Sequence, residues 1–220
     1  MTHMRAVVIA AGDLDPLDRA VLDAADITVA ADGGAASLER IGLRPDLLVG
    51  DLDSIDADLV ERLTADGTRV ERHPIDKEAS DTELAVEAAL ARGASAIVIL
   101  GAAGGDRLDH ELANLLLLTD PALAGREISA VRGGSRVSAL HGGARRRLAG
   151  AIGDLVTLLP VGGAAGGVTT AGLRWPLDGA TLTMGRSRGL SNEIVSSPAS
   201  VQLGEGTLLV IETQMGGRDE

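Results

Sequence analysis

The feature that most constrains this chain is the alternation, along its first 140 residues, of short apolar runs with segments of helical period. Val7-Val8-Ile9-Ala10 is an apolar run of strand length, followed by a helix-period segment over 16–25. The pair of signals then recurs, with strand runs at 27–31, 47–49, 69–73 and 96–100 and helical segments over 35–41, 57–65, 81–92 and 108–118. The helix over 81–92 opens on Ser80-Asp81-Thr82-Glu83, a capping box in which hydroxyl and carboxylate satisfy orphan backbone amides. Apolar strands alternating with helices predict a parallel sheet covered on both faces. Ligands of such sheets collect at the carboxyl ends of the strands, so chemistry is expected in the loops that follow them.

From about residue 148 the pattern changes. Runs at 155–159, 167–170, 180–184 and 207–211 are separated by clusters of Gly, Pro, Asn and Ser, as in a small antiparallel β domain. The expected fold is therefore α/β. It pairs an N-terminal Rossmann-like parallel sheet, with helices on both faces, over 1–140 with a C-terminal all-β, sandwich-like domain over 148–220. The Gly- and Arg-rich stretch 141–150 joins them. Phe and Tyr are absent, so the core must come from Leu, Val, Ile and Ala, and Trp175 is the only aromatic residue.

Charge and cysteine usage narrow the function classes. A net charge of −12 argues against a nucleic-acid partner, which calls for clustered Lys and Arg. If the ligand is a polyphosphate, metal cations have to offset the repulsion between acidic site and acidic ligand. With no Cys there is no disulfide, thiolate zinc site or thiol nucleophile, which fits a cytoplasmic setting. The first eleven residues have neither a signal-peptide layout nor a membrane-spanning length, so no membrane association is expected.

Gly50-Asp51-Leu52-Asp53-Ser54 directly follows the third strand run. Side chains two apart on an extended segment share a face, so Asp51 and Asp53 would present two carboxylates together. Hard oxygen donors of this kind suit Mg²⁺, which takes its other ligands from water and phosphate. A lone Asp-x-Asp also reads as a solvated turn capping the next helix. Three further loops follow other strands: Asp32-Gly33-Gly34, Ser80-Asp81, and Arg107-Leu108-Asp109-His110 behind the glycines at 101–105. Each alone suits a tight turn, a cap or an ion pair, but four at one sheet edge point to a site.

Known motifs are excluded by spacing. No Gly-Lys-Ser/Thr follows the Gly-rich loop, so it is not a Walker motif. It follows the fifth strand, whereas a dinucleotide fingerprint belongs after the first. There is no nucleophile elbow. Nor is 51–56 an EF-hand, because Ile55 holds a ligand position and the turn glycine is missing.

Read together, these blocks resemble the thiamine pyrophosphokinases. Asp32-Gly33-Gly34-Ala35 and Arg44-Pro45-Asp46-Leu47-Leu48-Val49-Gly50-Asp51-Leu52-Asp53-Ser54-Ile55 resemble that family's opening signature. Lys77-Glu78-Ala79-Ser80-Asp81-Thr82-Glu83 resembles its second block, and Gly104-Gly105-Asp106-Arg107-Leu108-Asp109-His110 with Asn114 its third. Gly172-Leu173-Arg174-Trp175-Pro176-Leu177 and Ser191-Asn192-Glu193 resemble its thiamine-binding end. Glu78 and Ser80 stand where Asp and Thr are common in the family. Asp106 adds a residue before Arg107, a change of register that bears on Arg107 more than on Asp51 or Asp53.

The resemblance implies transfer of a diphosphoryl group from ATP to the hydroxyl of thiamine by a Mg²⁺-dependent homodimer with active sites between subunits. It implies Mg²⁺ on Asp51, Asp53 and Asp81, with Asp81, Asp109 and Arg107 catalytic. ATP would contact Asp32, Gly33, Gly34, Asp51, Asp53, Ser54, Ser80, Arg107, Asp109, His110 and Asn114. Thiamine would contact Trp175, Ser191 and Asn192, an indole face suiting a cationic thiazolium. Trp175 as a β-domain core residue is the structural alternative. Two other functions compete. One is a phosphohydrolase of the haloacid-dehalogenase type, whose Asp-x-Asp nucleophile belongs after the first strand; the other is a ligand-sensing module without turnover.

Overall fold

In the computed structural model, residues 3–76 and 78–216 are described. Lys77 of the second sequence block lies outside them, as do the outermost residues of the two expected domains, 1–2 and 217–220. The chain has a mixed α/β fold and divides into two compact units, one of Met1–Leu117 with Arg126–Gly133 and one of Leu118–Gly125 with Gly134–Glu220.

In the first unit, β1 (Arg5–Ile9), β2 (Ile27–Ala31), β3 (Leu47–Gly50), β4 (Arg69–Arg72), β5 (Ala96–Leu100) and β6 (Glu127–Arg132) form a sheet of order β4-β3-β2-β1-β5-β6. Every pair in it is parallel. The chain runs outward from β1 to β4, then returns to place β5 on the other side of β1. That reversal opens a crevice beyond the carboxyl ends of β1 and β5, where ligands of such sheets bind. The strand β6 was not anticipated, because its apolar core of Ile128, Ala130 and Val131 is short and bounded by charge.

The connecting helices are α1 (Asp18–Asp23), α2 (Gly34–Arg40), α3 (Ala57–Ala65), α4 (Asp81–Ala91) and α5 (Leu108–Leu117). Register aligns Ile9 with Ala30 and Ala30 with Leu48, and this face packs on Leu22 of α1, Leu38 of α2 and Leu59 and Leu63 of α3. The alternate set, including Val8, Val29, Leu47 and Ile99, is equally buried, and α4 packs along β1, β2 and β3. Strands with both faces covered explain the unbroken apolar runs. Each such Leu, Ile or Val contributes about 1.5–3 kcal/mol on burial.

The second unit is antiparallel. Its strands are β7 (Ser135–His141), β8 (Arg145–Arg147), β9 (Leu155–Ala171), β10 (Ala180–Leu182), β11 (Asn192–Glu193), β12 (Ser200–Gln202) and β13 (Glu205–Thr213). The order is β7-β13-β9-β12-β8, with β10 and β11 also on β9. Residues 135–140, grouped by sequence with the first domain, join this unit because β7 pairs with β13 from Ser135↔Thr213 to His141↔Thr207. The runs at 155–159 and 167–170 are one strand, whose glycines are absorbed by a register shift against β13. Val156, Leu158, Val168, Leu182, Ile194, Val201 and Leu208 fill the core without Phe or Tyr. Among the described residues, no helix is long and apolar enough to cross a membrane.

Candidate active site

Asp32 follows β2 in a left-handed conformation, φ +40°, which costs a non-glycine residue about 1–3 kcal/mol and persists where surroundings enforce it. Its amide donates to the Val49 carbonyl at 2.9 Å, and its carbonyl accepts from Ala35 at 3.0 Å. The side chain is thereby turned inward and is only 4% exposed. Carboxylate oxygens of Asp32, Asp51 and Asp53 all lie within 4.8 Å of one another. The loop after β3 is shaped for this, with Leu52 at φ +65°, the Asp53 amide donating to Asp51 Oδ1 at 3.3 Å and the Ser54 hydroxyl donating to Asp53 Oδ1 at 2.9 Å.

Asp81, the first residue of α4, completes a group of four acids. A Cβ at Gly50, φ +151°, would lie 3.0 Å from Asp81 Oδ1 and 3.1 Å from the Asp32 Cβ. Only glycine lets these carboxylates approach across β3. Burial pushes the Asp32 carboxyl above its ordinary value; a hydrogen bond from Ser54 opposes this, and the charges of Asp81, Asp51 and Asp53 add to it. Asp32 Oδ1 is buried without a hydrogen-bond partner among the described residues. The sequence reading puts the metal on Asp51, Asp53 and Asp81, whereas the carboxylate oxygens that converge within 4.8 Å are those of Asp32, Asp51 and Asp53, with Asp81 across Gly50.

Beside the cluster lies a cavity of about 260 Å³ at the carboxyl ends of the strands. Asp32, Gly33, Ser54, Ser80 and Asp81 line one part, and Arg107, His110 and Asn114 another. Its floor is backbone: the Gly12 amide donates to the Gly101 carbonyl at 2.9 Å, and a Cβ at Gly12 would lie 2.4 Å from that oxygen. Gly34 does not line the cavity. A Cβ there would strike the Ile9 carbonyl at 2.1 Å, so it seats α2 against β1. Ser80 caps α4, its Oγ accepting from the Glu83 amide at 3.2 Å. Asn114 is buried, donating to the Ala102 carbonyl at 3.2 Å.

Asp109 also stands outside the cavity lining. It holds Arg107 through two bonds, Nε to Oδ1 at 2.9 Å and Nη2 to Oδ2 at 2.7 Å. Arg107 in turn keeps the Asp109 carboxyl well below the usual carboxylate range. Sequence reading missed Glu111, whose Oε1 accepts from the amides of Gly104 and Gly105 at 2.8 and 2.9 Å and so fixes the Gly-rich loop. Its only signal was an acid on the first turn of the helix behind flexible glycines.

In the second unit a separate cavity of about 440 Å³ is lined by Trp175, Pro176, Arg188, Ser191, Asn192 and Leu158, among others. Trp175 is 59% exposed, which excludes a core role. Arg174 lies 5.8 Å from the ring centroid and is itself held by Glu193 at 3.0 Å. Ser191 takes φ +52° while its amide donates to Thr157 Oγ1 at 3.0 Å. All three residues expected to meet thiamine therefore face one cavity.

Residues 9–130 match the family described as thiamin pyrophosphokinase, catalytic domain, and residues 146–208 match thiamin pyrophosphokinase, vitamin B1 binding domain. These matches place the chain among the transferases of kinase type. A thiamine pyrophosphokinase of Bacillus subtilis (strain 168) is 24% identical over 96% of this chain and 99% of its own length. A solved thiamine pyrophosphokinase from Bacillus subtilis, at 24% identity, superposes with a TM-score of 0.82 over 96% of this chain and 99% of that one. A solved thiamin pyrophosphokinase from Geobacillus thermodenitrificans is 28% identical, with a TM-score of 0.80 over 97% of this chain and 99% of that one. The chain belongs to the thiamin pyrophosphokinase family, and thiamine pyrophosphokinase activity is the function that membership assigns to it.

Proposed function

We propose that the chain moves the diphosphoryl group of ATP onto the thiamine hydroxyl, releasing AMP, with the acidic cluster holding Mg²⁺ and the Trp175 cavity taking thiamine. The observation that carries this is the convergence of Asp32, Asp51, Asp53 and Asp81 beside a glycine-floored cavity. The donor set fits a hard divalent cation: all ligands are carboxylate oxygens, and a buried Asp32 oxygen lacks a partner among the described residues. Asp51, Asp53 and Asp81 would hold the ion, with Asp32 beside them. Mg²⁺, when bound, neutralises phosphate charge and polarises the phosphorus under attack.

The chain's own groups do the rest. Gly33 gives the nucleotide close access to backbone, while Ser54, Ser80, His110 and Asn114 offer polar contacts along it. Arg107, aimed by Asp109, meets the charge that develops on the phosphoryl oxygens. Asp109 commits both carboxylate oxygens to Arg107, which leaves Asp81 to accept the proton of the thiamine hydroxyl. In this reading the six-stranded sheet is a Rossmann-like nucleotide domain with helices on both faces, and the second unit is a sandwich-like thiamine domain. The working form is a cytoplasmic homodimer with sites shared between subunits.

The test is incubation with ATP, Mg²⁺ and thiamine: thiamine diphosphate with AMP is expected, and thiamine monophosphate with ADP overturns the reading. Mixing Asp51→Asn with Trp175→Ala protein should restore part of the activity by subunit exchange. No restoration despite proven exchange would place each complete site within one subunit.

A further inference from the structure

The Trp175 cavity has the wrong charge for a cation alone. No carboxylate lines it, although the chain carries 32 acidic residues against 20 basic ones. Its one charged lining residue is Arg188, which is exposed and has no ion-pair partner among the described residues. Glu193, next in sequence to the lining residue Asn192, is engaged by Arg174. A free guanidinium at the mouth of a cavity otherwise built of apolar, hydroxyl and amide groups attracts an anion and disfavours a lone cation.

Thiamine itself is cationic, so Arg188 adds nothing to its capture. A ligand with a flat cationic ring system at one end and a phosphate ester at the other meets both features, its rings on Trp175 and its phosphate on the guanidinium. We propose that Arg188 is an anion-binding position that makes this cavity hold the diphosphate ester, the product, more tightly than free thiamine. The inference rests on the thiamine assignment above. It implies that product release contributes to turnover and that thiamine diphosphate inhibits the enzyme in competition with thiamine.

Trp175 is the only Trp and there is no Tyr, so its fluorescence reports on this cavity in the full-length protein. Titrations of thiamine and of thiamine diphosphate, without ATP or metal, should show the diphosphate binding more tightly. Arg188→Gln should weaken the diphosphate by about tenfold, the equivalent of one charge-assisted hydrogen bond, and leave thiamine within about twofold. Arg188→Lys should keep part of the preference, and Arg186→Gln, outside the cavity lining, should keep all of it. Equal weakening of both ligands, or no effect on the diphosphate, overturns the proposal. A Trp175 signal that responds to neither ligand in the unaltered protein overturns the thiamine assignment, and this inference with it.

Discussion

Asn192 grips the backbone of Trp175 in both directions: its Oδ1 accepts from the Trp175 amide at 3.0 Å, and its Nδ2 donates to the Trp175 carbonyl at 2.7 Å. The residues are 17 apart in sequence, so one carboxamide fixes the segment that carries the indole. Only an amide side chain can donate and accept in this way. Asn192→Ala should therefore raise the KM for thiamine roughly thirtyfold, at about 1 kcal/mol for each of the two lost bonds, with kcat within about twofold. Steady-state kinetics at saturating ATP checks this; a fall in kcat with KM unmoved would place Asn192 elsewhere in the mechanism.

Asp51→Asn and Asp53→Asn should each lower kcat by about 10²–10³ and raise the Mg²⁺ concentration needed for half-maximal rate, since each removes a charge that the triphosphate needs offset. Circular dichroism should be unchanged because both residues lie at the surface end of β3. Near-normal rates at saturating Mg²⁺ would remove both from the metal site.

Asp32→Asn should separate stability from function. The buried carboxylate faces three others, and burial already raises its proton affinity. Replacing it with a neutral group of the same shape should raise Tm without metal by about 2–4 °C per kcal/mol gained, while activity falls. Differential scanning calorimetry in EDTA reads the first effect; a lowered Tm would show that the charge is needed for the fold.

Arg107→Gln should release Asp109. A depressed carboxyl adds stability above its unfolded value and loses it as pH falls through the folded one. The pair's contribution is therefore present through the neutral range and disappears on the acid side of the ordinary carboxylate range, and its removal should move the Asp109 midpoint upward. The pair is exposed, so Tm at neutral pH should hardly change while kcat drops about a hundredfold. Side-chain NMR titration checks the midpoint, which stays low if another group holds Asp109.

Much of this was legible in the chain. Strands β1 to β5 were visible because a doubly covered parallel strand must be apolar without interruption, as Val7-Val8-Ile9-Ala10 is. The nearness of Asp51 and Asp53 was read from the two-residue period of an extended segment, but β3 ends at Gly50 and the left-handed Leu52 brings the two together in a loop. What sequence concealed was made by tertiary geometry. Asp32 joins the cluster only through its left-handed turn. Glu111 acts on glycines six and seven residues upstream, a spacing that no local motif records. Strand β9 was split in reading because Gly162, Gly163, Gly166 and Gly167 look like breaks, whereas here they bend a strand that continues. Asp109 was expected along the nucleotide, yet it pairs with Arg107 and is not among the residues lining the cavity.

The place of β13 between β7 and β9 has a consequence for how the protein is made. Ser135 and Thr213 are hydrogen-bonded neighbours 78 positions apart. During translation the parallel sheet can close once Arg132 has emerged, but β7 and β9 must wait, each with an unpaired edge, until residues 205–213 leave the ribosome. A nascent chain stalled before that point carries a finished parallel sheet and an antiparallel unit with open, sticky edges. Quality-control proteases and chaperones would therefore meet such a chain at the open edges of β7 and β9.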